Sequence, residues 1–203
     1  MEKPFKRVIV VLLFMLAAGG IAYGRNEARG EAAGMKKIAM VISESDFRDE
    51  EFLEPREIFK EAGFEVKVAS NSLGEARGVL GAKVKPDILV SNIKPEDFDA
   101  IVFVGGRGAS RYWDDQPVHK LIRDAAAEGK VIAAICIAPV TLANSGVLKG
   151  KRATVWHSEG SQLEAAGAIY TGKGTERDGR VITASGPDYA GEFGREIVLV
   201  LSQ

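Results

Sequence analysis

The segment with the clearest potential for chemistry is residues 133–139, where Cys136 stands between a short apolar run and Pro139. The apolar run predicts a strand, and the proline predicts the first turn of a helix. A nucleophile on such a turn is lifted above the sheet, and the next backbone N–H can stabilise an oxyanion. The positive end of the helix dipole favours a thiolate over a thiol. From this segment alone, a reactive cysteine and a buried structural cysteine are equally open.

A glycine-rich turn after a second apolar run is another candidate. Gly105 and Gly106 follow the predicted strand at residues 100–104, and glycine lets the backbone approach a ligand closely. The turn lacks the Gly-Lys-Ser/Thr ending of a phosphate loop. Arg107 in the same turn could hold an anionic substrate group, although an exposed arginine is more often solvated surface.

Carboxylates and a histidine provide candidate acids and bases. The acidic residues within 47–55 stand where a helix is predicted to begin, and the helix dipole explains most of them. One of them near the cysteine could also act as a general acid or base. His157 follows a predicted strand at residues 152–156, and it is either a partner for Cys136 or a surface loop histidine. The other histidine, His119, is predicted to be solvated.

The elements that must position these residues alternate between strand and helix. Strand patterns cover residues 38–42, 66–69, 100–104, 131–135, 152–156 and 180–184, and helix patterns cover residues 50–62, 118–128, 139–144, 161–166 and 189–201. Residues 72–95 predict short strands or a hairpin. Pro55 is expected only in the first turn of its helix, and Gly63 is placed to end that helix. This alternation predicts an α/β fold with a mostly parallel sheet and helices on both faces.

Composition limits the class of protein. With 203 residues and 46% hydrophobic content, the chain can form one compact domain, predicted over residues 36–203, plus an extension. The formal net charge of −1 with interspersed signs gives no electrostatic case for a nucleic-acid partner. A single cysteine excludes an intrachain disulfide, and the absence of Cys/His clusters with zinc spacing predicts no metal site.

The first residues have the composition of a targeting segment. Three basic residues precede an apolar run over residues 8–18, and small residues follow it. This pattern predicts a signal peptide over residues 1–24, with an uncleaved membrane anchor as the alternative, because the apolar run is short for a membrane span. Residues 25–35 predict a linker. A used leader would export the protein to the periplasm or the extracellular space, whereas a start at Met35 would leave it cytoplasmic.

Together these segments resemble the ThiJ/PfpI family over residues 36–203. The matching stretches are the acidic motif at 47–55, the glycine turn at 102–106, the nucleophile elbow at 134–139, and residues 148–154 and 183–187. The resemblance implies a flavodoxin-like three-layer sandwich that is commonly a homo-oligomer. It also implies chemistry that needs no metal or organic cofactor.

The resemblance further implies roles for individual residues. Cys136 would be the nucleophile, and the family's glutamate would fall on Glu51, with its carboxyl hydrogen-bonded to the cysteine. A protonated carboxyl beside a thiolate is expected to lower the pKa of the cysteine and to make it both reactive and oxidisable. The backbone N–H groups of Gly106 and Ile137 would form the oxyanion site.

One position departs from the family's peptidases. PfpI-type members carry a histidine directly after the cysteine, whereas this chain has Ile137. Other members take a histidine from the loop after the strand near residue 155, where either Trp156 or His157 aligns. The departure weakens a peptidase function more than it weakens carbonyl chemistry.

Three functions follow as hypotheses. The first is a stress-protective enzyme of the glyoxalase or deglycase type, in which Cys136 attacks a small reactive carbonyl and Glu51 moves the proton. The second is a cysteine peptidase or other hydrolase that acts on peptides with His157 as base. The third is a redox-sensing or chaperone-like protein with no turnover. In each case a membrane would be contacted only through an uncleaved leader.

Overall fold

The structure, a computed structural model, describes residues 34–203. The predicted leader over residues 1–24 and most of the predicted linker over residues 25–35 therefore lie outside the described residues. Residues 34–203 lie in one compact unit. No helix within residues 34–203 is long and apolar enough to cross a membrane.

Strands and helices alternate along the described residues. The strands are β1 (Lys37–Val41), β2 (Ser45–Phe47), β3 (Glu65–Ser70), β4 (Ala76–Gly78), β5 (Lys83–Val84), β6 (Ile88–Leu89), β7 (Ala100–Phe103), β8 (Val131–Ile135), β9 (Arg152–Ala153), β10 (Ile169–Tyr170), β11 (Thr175–Asp178) and β12 (Val181–Ala184). The helices are α1 (Asp49–Glu61), α2 (Gln116–Ala127), α3 (Pro139–Asn144), α4 (Gly160–Ala165) and α5 (Ala190–Leu201). The predicted α/β class is confirmed.

The main sheet has the order β11-β12-β8-β7-β1-β3-β6, and its neighbours are parallel except for β11 against β12. The register brings the strand ends to one edge. Val41 pairs with Phe103, and Phe103 pairs with Ala134. On the other side of β8, Ile135 pairs with Ala184. The loops after β1, β7, β8 and β12 therefore leave the sheet at the same carboxyl edge, where parallel sheets bind ligands.

Two apolar layers cover the sheet and make the predicted three-layer sandwich. In β1, Ile38 and Met40 face one side and Ala39 and Val41 face the other, as the two-residue strand period requires. The first side packs against α1 and α5, and the second against α2, α3 and α4. All four of these side chains are at most 1% exposed, so both faces of the central strand are buried as in other parallel sheets.

Helix α1 differs from its sequence-based prediction at Pro55. The proline lies in the middle of the helix rather than in its first turn. Because proline has no N–H, the carbonyl of Glu51 four residues earlier receives no helical hydrogen bond from it. Helix α5 packs closely against α1 at this proline. The approach is so close that a Cβ added at Gly194 in α5 would lie 3.1 Å from Pro55 Cα. Gly63, with a φ of 77°, ends the helix as predicted.

A hairpin docks onto the start of α1. Within residues 72–95, β4 and β5 pair in antiparallel fashion, as predicted. The buried carboxylate of Asp49 accepts the N–H groups of Leu80 and Ala82, both at 2.7 Å. Val79 N–H donates to the Phe47 carbonyl at 2.9 Å. The tip of the hairpin is thus fixed beside the carboxyl edge of the sheet.

Two other predictions were wrong in detail. The strand expected over residues 152–156 is only Arg152–Ala153, and it pairs with β10 outside the main sheet. Thr154 leaves the strand because its N–H donates to Thr183 Oγ1 at 2.9 Å. His119 was predicted to be solvated, but it is only 3% exposed. Its Nε2 lies 2.8 Å from the Trp113 carbonyl oxygen, which takes the place of water as a hydrogen-bond partner.

Candidate active site

Cys136 sits on a left-handed turn between β8 and α3. Its φ is 63°, a conformation that costs a residue other than glycine about 1–2 kcal/mol. Two backbone hydrogen bonds hold the turn: Cys136 N–H donates to the Ala184 carbonyl at 2.9 Å, and Trp156 N–H donates to the Cys136 carbonyl at 2.8 Å. The strain is thus maintained by β12 and by the loop after β9, and it directs the half-buried thiol away from the sheet edge.

Gly105 allows the closest approach in the site. A Cβ at this position would lie 2.4 Å from Cys136 Cβ, 2.5 Å from Glu51 Oε2 and 2.7 Å from the Ile135 carbonyl oxygen. The Gly105 N–H donates to Glu51 Oε2 at 3.0 Å. The absence of a side chain therefore brings the cysteine, the glutamate and the glycine turn together in one place.

Glu51 is a fully buried carboxyl beside the cysteine. Burial raises its pKa to about 8, and contact with Cys136 and the Gly105 N–H offset only part of that increase. While Oε2 accepts the Gly105 N–H, Oε1 is buried without a hydrogen-bond partner among residues 34–203. At neutral pH most of the molecules therefore carry a protonated Glu51, which can both give and accept a proton.

The pKa of Cys136 is raised, contrary to the expectation of a lowered one. Burial is the main cause and, with the repulsion from a charged Glu51, raises the pKa to about 12. The N–H groups of Gly106 and Ile137 act in the opposite direction by hydrogen-bonding the sulfur. Since the pKa of Glu51 is about 8, the carboxyl is mostly uncharged at neutral pH and its repulsion of a thiolate is small there. The resting cysteine is a thiol, and its attack requires a proton acceptor.

The pKa of Glu51 gives a prediction about stability. A glutamate carboxyl in the unfolded chain has a pKa of 4.5, and the folded protein raises the pKa of Glu51 to about 8, so between these values the folded state holds a proton that the unfolded state has lost. Its contribution to the free energy of unfolding is fully present below pH 4.5 and is lost as pH rises through 8. Urea denaturation should show the wild type losing stability from pH 5 to 8, whereas Glu51→Gln should lose less. Equal slopes for the two proteins would contradict this assignment.

The thiol opens into a cavity of about 330 Å³. Its lining residues are Arg48, Glu51, Val79, Gly106, Arg107, Cys136, Ile137, Trp156 and Pro187. Gly105 lies behind this surface, in contact with the cysteine and the glutamate. His157 does not line the cavity: it is exposed in a short 3₁₀ turn, and its ring packs on Trp156 with the centroids 4.9 Å apart. Of the two aligned positions, the cavity wall contains Trp156.

Three lining residues were not anticipated from the sequence. Arg48 comes from the loop before α1, Val79 from the hairpin tip, and Pro187 from the turn before α5. Arg48 is held by Glu50, with Nη2 to Oε1 at 3.0 Å and Nε to Oε2 at 2.9 Å. Arg48 lies within the acidic motif at residues 47–55, which is the one local signal that could have identified it. Pro187 ends the family-like stretch over residues 183–187, but that stretch does not indicate a place in the cavity wall, and nothing local to Val79 does either.

The fold and the site define a class of protein. A cysteine on a left-handed strand-to-helix turn, beside a buried carboxyl at the carboxyl edge of a parallel sheet, is the arrangement of a cysteine-centred α/β protein with a nucleophile elbow. The chain belongs to the DJ-1/PfpI family, whose family model matches residues 36–199. Residues 34–203 contain no group of three or more His, Cys, Asp or Glu side chains that could hold a metal ion.

Similar proteins include both named and uncharacterised members. An uncharacterised protein of Methanocaldococcus jannaschii is 38% identical, over 98% of each chain. The deglycase PfpI of Pyrococcus furiosus is 32% identical over 80% of this chain and 98% of its own. A glutathione-independent glyoxalase of Caenorhabditis elegans is 27% identical over 83% of this chain and 90% of its own.

A solved structure agrees with the fold. The ThiJ/PfpI domain protein from Brachyspira murdochii is 33% identical and superimposes with a TM-score of 0.81, covering 83% of this chain and 98% of its own. The flavodoxin-like family fold expected from the sequence is therefore confirmed. The names of the relatives support a deglycase or glyoxalase type of function and enzymatic activity for the family.

Proposed function

We propose that this protein is a cofactor-independent enzyme of the glyoxalase and deglycase type that acts on small reactive carbonyls. Cys136 is the nucleophile, and Glu51 is the general acid and base. The observation that carries the proposal is the buried Glu51 carboxyl, which contacts the thiol and whose Oε1 has no hydrogen-bond partner among residues 34–203. The names of the deglycase and glyoxalase relatives support it.

The first step adds the thiol to an aldehyde such as methylglyoxal. The Cys136 sulfur bonds to the aldehyde carbon, the thiol proton passes to Glu51, and the carboxyl proton of Glu51 passes to the carbonyl oxygen. This exchange gives a hemithioacetal without a free thiolate, which suits a thiol whose pKa is raised. The N–H groups of Gly106 and Ile137 face the sulfur and can stabilise charge that develops on the neighbouring oxygen.

The later steps need only water. A proton moves from the hemithioacetal carbon to the adjacent carbonyl carbon through an enediol, with Glu51 as carrier. The former aldehyde carbon is oxidised to a thioester, and its neighbour is reduced to an alcohol. Water then cleaves the thioester, which releases lactate and restores the thiol. Oxidation and reduction balance within the substrate, so the reaction requires no external electron acceptor.

The thioester provides a direct test. Acid quenching within one turnover, followed by digestion and mass spectrometry, should find a lactoyl group on the peptide that contains Cys136. Because the chain has one cysteine, the site of attachment is unambiguous. Turnover to lactate with no acyl group on this peptide at any quench time would contradict covalent catalysis by Cys136.

The peptidase alternative gives an opposite expectation for His157. A peptidase needs a base near the cysteine, and His157 is exposed outside the cavity. His157→Ala should therefore change methylglyoxal turnover by no more than about twofold, as is usual for an exposed side chain away from the chemistry. Steady-state lactate formation measures this, with wild type as the reference. A large loss of turnover would show that the histidine participates.

A further inference from the structure

The charges around the cavity of Cys136 are not balanced. The positive charge of Arg48 is matched by its two contacts with Glu50. Arg107 is the other basic residue in the cavity lining, and its side chain is exposed. The arginines that form ion pairs within residues 34–203 are Arg48, Arg77, Arg111, Arg152 and Arg177. Arg107 is not among them, so it places at the cavity a cation without an ion-pair partner in the described residues.

The backbone holds Arg107 next to the reacting atoms. It directly follows Gly106, whose N–H faces the Cys136 sulfur. Gly106 has a φ of 90°, and a Cβ there would lie 2.3 Å from the Asp46 carbonyl oxygen and 2.5 Å from the Arg48 nitrogen. The turn is therefore packed tightly against the loop before α1. The backbone of Arg107 is therefore fixed beside the cysteine, while its long, exposed side chain can contact a ligand.

We propose that Arg107 selects substrates that carry an anionic group, and that the substrate class is 2-oxoaldehydes with a carboxylate. This inference rests on the proposed function. The aldehyde carbon would bond to the Cys136 sulfur while the carboxylate accepts hydrogen bonds from the Arg107 guanidinium, a planar donor that matches carboxylates. The same enediol and thioester steps would then release a 2-hydroxy dicarboxylate. A cavity of about 330 Å³ is within the size range of small-molecule sites.

A matched pair of alkylating agents tests the anion preference without any turnover. Iodoacetate and iodoacetamide have nearly the same shape but differ in charge, and both react with the one cysteine of the chain. The ratio of their rates cancels the reactivity of the thiol itself. The same rate ratio is measured for the thiol of glutathione. The ratio of iodoacetate to iodoacetamide rates at Cys136 should be about fivefold higher than that for glutathione, which is the effect of one partly exposed ion pair. Added salt should reduce it.

Variants assign that preference to Arg107. Arg107→Gln should abolish the excess ratio, and Arg107→Lys, which keeps the charge, should retain part of it. Arg180 is exposed and directly precedes the amino end of β12, away from the carboxyl edge of the sheet where the cavity lies. Arg180→Gln removes the same charge as Arg107→Gln, and it should leave the ratio unchanged. A ratio unaltered by Arg107→Gln would overturn the proposal.

Turnover then separates this inference from the proposed function. The substrates are 4,5-dioxopentanoate and its neutral methyl ester, and kcat/KM should favour the anion in wild type by a margin that Arg107→Gln removes. Turnover of both substrates with no dependence on Arg107 would overturn the inference and leave the proposed function standing. Turnover of neither substrate and none of methylglyoxal, with an alkylation ratio that still depends on Arg107, would overturn the proposed function and support an anion site.

Discussion

Glu51→Gln should lower kcat/KM for methylglyoxal by about 10²–10⁴-fold, the usual contribution of a general acid and base. The amide preserves the size of the side chain, and it can still accept the Gly105 N–H that Oε2 accepts in the wild type. It has no proton to exchange with the thiol. Because the resting cysteine has a raised pKa, attack without a proton acceptor leaves the reaction dependent on the rare free thiolate.

The matched control for this variant lies on the same helix. Glu57 is exposed on α1 and pairs with Lys60 at 3.8 Å, so Glu57→Gln makes the same chemical change away from the cavity. Its kcat/KM should equal that of the wild type. Steady-state lactate formation at pH 7, with circular dichroism to verify the fold, compares the three proteins. Wild-type turnover by Glu51→Gln would eliminate the glutamate as proton carrier.

Gly105→Ala should be strongly damaging to both stability and turnover. The new methyl group would overlap Cys136 Cβ, Glu51 Oε2 and the Ile135 carbonyl, and the last of these is backbone of a fully buried strand. We expect a loss of about 3 kcal/mol in the free energy of unfolding, at the upper end of the cost of overpacking. The folded fraction should also lose turnover, because the cysteine and the carboxyl are forced apart.

Urea denaturation and turnover measure both effects in one preparation. Gly74→Ala is the control, since Gly74 is exposed and a Cβ there meets only the Ser72 hydroxyl, at 3.3 Å. That variant should remain within about 0.5 kcal/mol of the wild type. If Gly105→Ala were as stable and as active as Gly74→Ala, the close approach of the glycine turn to the cysteine would be wrong.

The parallel core of the fold was predictable because its signals are local. Residues 131–135 are apolar without interruption, and the structure buries all of them as β8. The glycine turn after residues 100–104 follows from the same pattern. Pro55 was placed wrongly because its tolerance in mid-helix depends on packing against Gly194 in α5, a contact distant in the sequence. A local rule for proline contains no information about that contact.

The candidate site was predictable to the extent that its residues follow strands or helix starts. Sequence reasoning identified Glu51 and Cys136, which the fold brings together. It left Trp156 and His157 undecided, because the end of β9 depends on the hydrogen bond from Thr154 to Thr183. Val79 enters the cavity through the hairpin that Asp49 fixes. These contacts join distant parts of the chain.

The raised pKa of Cys136 could not be predicted from the sequence either. The motif suggested a thiolate stabilised by a helix end and a protonated carboxyl, but the depth of burial determines the balance. Desolvation penalises the thiolate more than two N–H groups stabilise it. The extent of burial depends on how the loops pack over the cysteine, which periodicity does not specify.

The measurement that tests the central claim most directly is lactate formation from methylglyoxal by the purified protein, without glutathione or added metal, beside Cys136→Ala. We predict many turnovers per molecule for the wild type and none above the buffer rate for the variant. A folded wild type that forms no lactate, or a Cys136→Ala variant that forms it at the wild-type rate, would contradict the account.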